Sequence, residues 1–399
     1  MQIGMVLAGR DYPPDIRVEK EVRALQGNGY PCFVICERTD QNPLREDWEG
    51  SFILRIPSPG IFLRKINSLI YRLTFFNIQW FWNLVRIARQ EPLDALHVHD
   101  LPMAGTALWV GRFLKIPVLL DFHENYPAAV TYYSPAVRTN IQKVLAFFNR
   151  SLHWQRYEKR AAKAADRVIV VVDEAKERLS KVGIDHKKIT IIENTIDVDH
   201  FHELGIDQEI IHKYRDSFLI SYIGGYGGKH RGLDTAIDAM PKINQVIPNA
   251  KLLLVGKGNI KPVLEDKVQN LGLEDRVIFE DWRPFAEVPS YIEASHVCLI
   301  PHQSTPHTEA TSPHKLFQYM LMGKPVVVSS CKPLKRVVDE TKSGLVFSAG
   351  DSDSLAEAIL QLQDDQLRSI LGQAGKKAVL DRYNWERTAQ DLIRLYETI

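Results

Sequence analysis

Short apolar runs alternate with longer amphipathic stretches along almost the whole chain. Each run is bounded by glycine, proline or polar residues, which is the pattern of buried strands, and helical spacing separates most of them. The predicted strands cover residues 2–8, 32–36, 95–99, 118–122, 168–172, 190–192, 219–223, 251–255, 277–279, 297–300 and 326–329. Alternating strands and helices predict an α/β protein with doubly wound parallel sheets.

The length and the strand pattern predict two domains. A chain of 399 residues exceeds what one hydrophobic core usually serves. The strand series stops at a turn-rich segment and restarts at Phe218, which places the boundary within residues 200–215. We predict a first domain over residues 1–205, a second over 206–383 and a terminal helix over 384–399. Asp15 is the predicted cap of the first helix.

The segment 311–330, TSPHKLFQYMLMGKPVVVSS, carries the densest set of signals. It predicts a loop, a helix of about ten residues and a buried strand. Ser312 is the predicted N-cap and Pro313 the first helical residue, while Gly323 suits the left-handed end of the helix. Lys315 would oppose the helix dipole unless an anion binds there. The alternative is an ordinary amphipathic helix with a solvated polar face.

Composition narrows the class of protein. The chain is 45% hydrophobic and 25% charged with a net charge of +1, which predicts a globular protein without overall attraction for nucleic acid. Cys32, Cys36 and Cys298 lie in predicted strands, which favours reduced thiols over a disulfide framework. No apolar run reaches the roughly 20 residues that span a bilayer. The first apolar run is too short for a signal peptide, so we expect a cytoplasmic protein.

The string SPHKLFQYMLMGKPVV resembles the donor-site signature of family 4 of the retaining glycosyltransferases. The resemblance extends over nearly the whole chain. It implies the GT-B fold, in which two Rossmann-like domains face each other across a cleft and the terminal helix packs back onto the first domain. The second domain would bind a nucleotide-diphosphate sugar and the first the acceptor. The implied reaction is metal-independent transfer to an acceptor hydroxyl with retention. No cofactor is expected beyond a nucleotide-sugar co-substrate, with a UDP-sugar as the first choice.

The family's donor-site residues map only partly onto this chain. In the family, a glutamate on the signature helix holds the ribose hydroxyls, and here that position is Gln318. The usual partner glutamate, eight residues earlier, falls on Ala310, with Glu309 displaced by one. Arg231 matches a family lysine one residue late, and Lys229 is the candidate substitute for a family arginine. The residues expected to bind the donor are Lys229, Gly256, Arg283, Glu309, Thr311, Ser312, Lys315 and Gln318.

Polar pairs also end two strands of the first domain. His99 and Asp100 follow one strand and His123 the next, and ligands of open α/β sheets gather at such ends. His123 matches a family histidine beside the donor sugar, and its alternative is a loop-capping histidine. We expect His123, Lys315 and Arg231 to act in the reaction, and Arg10, His99 and Asp100 to lie on the acceptor side. The HVHD sequence would also suit a metal, but no third ligand is obvious, so no metal site is predicted.

Two segments of the first domain are basic and aromatic. Residues 61–90 hold five Lys or Arg and no acid, and residues 138–163 hold seven basic residues and one acid. Such helices suit an anionic membrane surface, unless the aromatics pack inward and the cations are only solvated. We therefore expect a peripheral protein at the inner membrane face. Its acceptor would be a glycan or lipid-linked molecule of cell-surface polysaccharide or glycolipid synthesis.

Other functions stay open from sequence alone. The altered glutamate pair also fits a non-catalytic relative that acts as a binding or regulatory partner. A nucleotide-sugar epimerase on a similar scaffold is a further alternative. A nicotinamide oxidoreductase is disfavoured because no strand–GxGxxG–helix unit occurs.

Overall fold

The computed structural model describes residues 1–9, 11–39, 42–133 and 151–399. The chain divides into two compact units, one of Met1–Glu193 with Thr388–Ile399 and the other of Asn194–Arg387. Residues 194–205, which the sequence placed in the first domain, belong to the second unit. The chain returns to the first unit at Thr388, inside the terminal helix.

The first unit is built on a mainly parallel sheet. Its described strands are β1 (Ile3–Leu7), β2 (Cys32–Glu37), β3 (Arg45–Trp48), β4 (Ser51–Ile56), β5 (Ala95–His99), β6 (Val118–Phe122), β7 (Arg167–Val170) and β8 (Ile189–Ile191). They lie in the order β3-β4-β2-β1-β5-β6-β7-β8. Only β3 runs antiparallel to its neighbour among these strands.

Helices connect the parallel strands of this sheet. The described helices of the first unit are α1 (Ile16–Gly27), α2 (Ile61–Thr74), α3 (Ile78–Gln90), α4 (Ala104–Leu114), α5 (Tyr126–Tyr133), α6 (Ser151–Ala164) and α7 (Asp173–Lys181). As predicted, Asp15 caps α1, because its carboxylate accepts hydrogen bonds from the N–H groups of Arg17 and Val18.

The second unit has an all-parallel sheet. Its described strands are β9 (Phe218–Ile223), β10 (Ala250–Val255), β11 (Val277–Glu280), β12 (Val297–Ile300), β13 (Val326–Ser329) and β14 (Gly344–Phe347), in the order β11-β10-β9-β12-β13-β14. Alternate residues of β9 enter two different apolar clusters, with Ile220 in one and Leu219 in the other. Both faces of the sheet are therefore covered, which explains why its strands are continuous apolar runs.

The helices of the second unit supply the two covering layers. They are α8 (Val198–His202), α9 (Gln208–Tyr214), α10 (Leu233–Val246), α11 (Lys261–Asn270), α12 (Val288–Ala294), α13 (Lys315–Leu321), α14 (Lys332–Thr341), α15 (Ser352–Gln361) and α16 (Asp365–Asp381). The terminal helix α17 (Trp385–Glu397) begins in this unit and continues into the first.

The predicted α/β architecture is confirmed, and every predicted strand is present with shifts of at most two residues. Strands β3, β4 and β14 were not predicted. The four cysteines are buried and free, as expected for core thiols. Within the described residues, no helix is both long and apolar enough to cross a membrane.

Candidate functional site

Two glycines shape the carboxyl ends of β9 and β10. The backbone N–H of Gly224 donates to Val255 O at 2.8 Å. A Cβ on Gly224 would lie 2.3 Å from Lys315 Nζ, and one on Gly256 would lie 2.2 Å from Gly224 O. These positions must be glycine for the two turns to pack together and for the Lys315 ammonium to come close. Gly256, predicted to contact the donor, thus has a packing role that the structure shows directly.

Lys315 is the first residue of α13, and its side chain turns toward β9. Its Nζ lies 3.5 Å from the centroid of the Tyr222 ring, a cation–π contact. Burial, and next the like charge of Arg231, hold the pKa of Lys315 well below its usual range. Among the described residues, neither Lys315 nor Arg231 forms an ion pair with a carboxylate. Lys315, predicted from the helix dipole, and Arg231, predicted from the resemblance, thus lie within reach of each other's charge without a carboxylate partner in the described part of the chain.

The start of α13 differs from the prediction. Its N-cap is His314, not Ser312, and the helix is seven residues long. Pro313 lies in the preceding loop, because the helix begins at Lys315, and its carbonyl accepts a hydrogen bond from the N–H of Leu316 at 3.1 Å. The buried Ser312 Oγ has no hydrogen-bond partner in the described part of the chain. Thr311 precedes it as a half-buried residue in extended conformation. The prediction that Ser312 caps this helix is therefore wrong.

The predicted polar face of α13 is buried at Gln318 and Tyr319 and half-buried at Lys315 and Met322. Gln318 is 7% exposed and Tyr319 is fully buried, where its hydroxyl accepts a hydrogen bond from Ile223 N at 2.9 Å. The alternative of a solvated polar face is therefore wrong. Glu309 lies in the loop before the helix, and its carboxylate accepts hydrogen bonds from Ser304 Oγ at 2.6 Å and Lys332 N at 3.1 Å.

The two remaining basic candidates of the second unit lie at the surface or in an ion-pair network. Lys229 is exposed in a short 3-10 turn. Arg283 Nη2 donates to Glu280 Oε2 at 2.6 Å, and Tyr214 donates to the other oxygen at 2.6 Å. Burial alone would raise the pKa of Glu280, but hydrogen bonds led by that from Lys213 outweigh it and lower the pKa to about 2. Arg283 is therefore already paired.

In the first unit, two histidines lie at the carboxyl ends of β5 and β6. His99 Nδ1 lies 3.2 Å from His123 Nε2, and the same His123 nitrogen lies 3.0 Å from Asp121 Oδ2. Asp100 Oδ2 is 3.7 Å from His123 Nδ1. Burial alone would lower the pKa of His123, but the carboxylates of Asp100 and Asp121 outweigh it and raise the pKa to about 9. His123 is thus an imidazolium at neutral pH.

Its neighbour His99 has the opposite charge preference. Burial, and then the adjacent His97, lower the pKa of His99 to about 3. A neutral His99 can accept a hydrogen bond at Nδ1 from the charged His123. The pair therefore combines one fixed positive charge with one neutral acceptor.

Arg17 holds Asp121, the carboxylate that contacts His123. Arg17 Nε and Nη2 donate to the two oxygens of Asp121 at 3.0 and 3.1 Å. Arg17 Nε also lies 3.0 Å from Glu21 Oε1. Atoms of Glu21, His97, His99 and Asp121 that could ligate a metal all lie within 4.8 Å of one another. Besides His97 and His99, two further potential metal ligands that the sequence did not reveal, Glu21 and Asp121, are thus present. Their carboxylates, however, are already paired with the Arg17 guanidinium.

A cavity of about 670 Å³ opens beside the histidine pair. Its wall combines polar groups, namely carboxylates, aromatic hydroxyls, imidazoles and an amide, with a few apolar residues. The lining residues are Ala8, Gly9, Glu37, Tyr71, Asn77, His99, Asp100, Pro102, Met103, His123, Glu124 and Tyr126. Such groups suit a hydroxyl-rich molecule. The structure therefore brings together His99, Asp100 and His123. Arg10, also expected on the acceptor side, lies outside the described residues.

Comparison with known proteins identifies the family. A model of group 1 glycosyl transferases matches residues 217–365, and a model of glycosyltransferase family 4 matches residues 16–200. Between them they cover most of the chain. The chain belongs to the family 4 glycosyltransferases.

Individual relatives agree with this assignment. A phosphatidyl-myo-inositol mannosyltransferase of Mycobacterium leprae is 26% identical over 77% of this chain and 74% of its own. An alpha-monoglucosyldiacylglycerol synthase of Streptococcus pneumoniae is 25% identical over 84% and 72%. The structure of Anabaena Alr3699/HepE in complex with UDP-glucose has a TM-score of 0.74 at 15% identity, with full coverage of both chains. That likeness confirms the GT-B fold. The family models and the curated relatives show that the chain is a transferase.

The first unit of this glycosyltransferase exposes an unusual helix. No residue of α2 is buried. Its exposed apolar side chains are Ile61, Phe62, Leu63, Ile66, Leu69 and Leu73, with Phe62 at 72% exposure. Arg64, Lys65 and Arg72 lie among them. The alternative, that the aromatics pack inward, holds for Trp80 of α3 but not for Phe62. The second basic segment, 138–163, is described only from residue 151.

Sequence reasoning missed several groups of the site. Arg17 and Glu21 stand four residues apart on α1, a spacing that places both on one helix face. Asp121 and His123 alternate along and just beyond β6, which places them on one side of the sheet. These local signals were present. The contact of Arg17 with Asp121, 104 residues away, had no sequence signal.

Proposed function

We propose that this protein transfers a sugar from a nucleotide-diphosphate sugar to an acceptor hydroxyl with retention at the anomeric carbon and without a metal. One observation carries the proposal: Arg231 and Lys315 are held close together without a carboxylate partner among the described residues. Two like charges raise each other's free energy unless an anion is present. A diphosphate provides that anion.

The chemistry needs this arrangement. When the bond to the sugar breaks, the leaving diphosphate gains negative charge, and cations fixed in advance stabilise it without reorganisation. The acceptor hydroxyl would attack from the face that the diphosphate leaves, so no protein nucleophile is required. His123, an imidazolium, would bind sugar hydroxyls as a donor. Gln318 would replace the family glutamate at the ribose.

The donor and acceptor classes are supported by relatives. The solved Anabaena neighbour binds UDP-glucose, which favours a UDP-sugar. Two relatives are named for lipids: one for the acceptor phosphatidyl-myo-inositol, and one for its product, monoglucosyldiacylglycerol. We infer that the acceptor is a lipid-linked or glycan hydroxyl of cell-surface glycolipid or polysaccharide synthesis. The cavity beside His99 and His123 would hold its hydroxyl-rich part.

Helix α2 supports a peripheral position at the inner, cytoplasmic face of the membrane. A helix that exposes six large apolar residues and three cations, with no acidic residue, matches an anionic bilayer in both apolar area and charge. A lipid-linked acceptor would explain why an acceptor-side unit carries such a helix.

Product formation tests the proposal directly. The purified protein is incubated with UDP-glucose, UDP-galactose or GDP-mannose and with total membrane lipid extract, with and without EDTA. We expect one donor to yield a glycolipid whose anomeric configuration, read by NMR, equals that of the donor, with EDTA having no effect. Inversion or dependence on a metal would contradict the mechanism. Nucleotide binding without turnover on any acceptor would instead favour a non-catalytic partner.

A further inference from the structure

A buried histidine lies against one of the two cations. His302 follows the end of β12 and is 2% exposed. Its Nε2 lies 3.4 Å from Arg231 Nη1. Arginine has no acceptor atom, so His302 accepts this hydrogen bond and must be neutral at Nε2.

The backbone fixes this contact. The N–H of Gln303 donates to His230 O at 2.9 Å, and the Gln303 side chain donates to Thr235 Oγ1 at 2.8 Å. Gln303, the residue after His302, is therefore hydrogen-bonded to one residue before Arg231 in the chain and to one residue after it. His302 cannot move far from Arg231 without breaking these bonds.

The groups that face His302 explain why it is neutral. Burial, then Arg231 and Lys315, hold the pKa of His302 well below its usual range, and His230 and His307 add to the effect. The neighbouring imidazoles are also neutral at pH 7, because burial is the main cause that lowers the pKa of His230 to about 4 and that of His307 to about 3. An anion between the cations would cancel the field that opposes protonation of His302.

We propose that His302 is a third binding group for the diphosphate: it takes up a proton when the anion arrives and donates a hydrogen bond to a phosphate oxygen. The proton comes from the buffer and no covalent bond changes. A protonated His302 no longer accepts from Arg231, so the guanidinium is released toward the same anion. This inference rests on the proposed donor site and adds a residue to it.

Calorimetry of UDP binding tests this inference. Binding enthalpies at pH 7.5 in buffers of different ionisation enthalpy give the number of protons taken up per site. His302→Gln keeps an acceptor for Arg231 but cannot be protonated. We expect the unchanged protein to take up about one proton more than His302→Gln. His307→Gln is the matched control, because it removes a buried neighbouring imidazole, and we expect its uptake to equal that of the unchanged protein.

The outcomes separate this inference from the donor site itself. Equal proton uptake by His302→Gln and the unchanged protein overturns it, as does loss of uptake in His307→Gln alone. If His302→Gln does not fold, the unchanged protein decides: its UDP affinity should fall by up to about tenfold per pH unit between pH 7 and 8.5, and a flat profile overturns the inference. If neither UDP nor inorganic pyrophosphate binds, the donor site fails, and this inference with it.

Discussion

Lys315 Nζ lies over the Tyr222 ring at 3.5 Å, in space that exists only because residue 224 is glycine. The ring face attracts the ammonium, but it cannot replace a full counter-charge. In the empty protein the charged form of Lys315 is therefore disfavoured, as its lowered pKa indicates. Such a cost is typical of sites where binding matters more than stability.

Replacing Lys315 by methionine should separate these two effects. We expect Lys315→Met to raise the free energy of unfolding by on the order of 1 kcal/mol at pH 7, because a half-buried, poorly solvated ammonium without a carboxylate partner is removed. The same change should abolish most nucleotide binding. Urea unfolding and calorimetry measure the two quantities.

The pH dependence provides the control. The folded state lowers the pKa of Lys315, so the penalty is present at neutral pH and disappears as pH rises toward the ordinary lysine value of about 10.4. The stability difference between the two proteins should therefore shrink from pH 7 to pH 10. A difference that stays constant or grows would show that Lys315 is not destabilising in the empty protein.

Gly224→Ala should weaken nucleotide binding about as strongly as loss of the Lys315 charge. The new Cβ would lie 2.3 Å from Nζ, at a φ of 144° that side chains rarely adopt. Gly227→Ala is the matched control in the same loop, since its Cβ would meet no atom within 4 Å. Calorimetric titration of both variants with UDP checks this, and equal affinities would show that the Lys315 position is unimportant.

The fold was readable from the sequence because buried parallel strands are continuous apolar runs. Strand β3 was missed because Arg45–Trp48 is polar and lies at the sheet edge, with only β4 beside it. In the structure, Glu49 and Gly50 both have positive φ between β3 and β4, as in a two-residue hairpin turn. The Glu-Gly pair is not one of the dipeptides that mark such a turn in a sequence, so the hairpin had no strong local signal.

The site was readable where a local pattern or the family motif covers it. Lys315 was predicted from its place at a helix start, where a cation opposes the dipole, and Arg231 from the resemblance. The structure brings the two close enough for their charges to interact. The cap at Ser312 failed because capping preference is local, whereas Ser312 is held in the buried loop before α13. The contact between Arg231 and His302 joins residues 71 apart and depends on tertiary packing, so no local pattern could predict it.

His123 should titrate well above an ordinary histidine. With a pKa of about 9 in the folded state, its charge contributes stability below pH 6.5, and that contribution is lost as pH rises through 9. NMR of the imidazole C–H signals should show this midpoint, and Asp100→Asn should lower it. A midpoint near 6.5 in the unchanged protein would contradict the proposed imidazolium.

Helix α2 should bind anionic membranes. We expect Phe62→Ser with Leu69→Ser to reduce co-sedimentation with phosphatidylglycerol-containing vesicles several-fold, because the apolar area that enters the bilayer is lost. Val263→Ser with Ile370→Ser removes two apolar groups that are each more than half exposed from the second unit and serves as control. Equal binding by both double variants, or no preference for anionic over neutral vesicles at low salt, would rule out α2 as the membrane contact.

The most direct measurement is calorimetric titration of the unchanged protein and of Lys315→Ala with UDP, GDP and ADP. We expect one nucleotide, UDP, to bind the unchanged protein. We also expect Lys315→Ala to weaken this binding by more than about tenfold, since one charge-assisted contact contributes roughly 1.5–3 kcal/mol. Absence of binding by all three nucleotides, or equal affinity in the variant, would contradict the assignment of Arg231 and Lys315 as the diphosphate site.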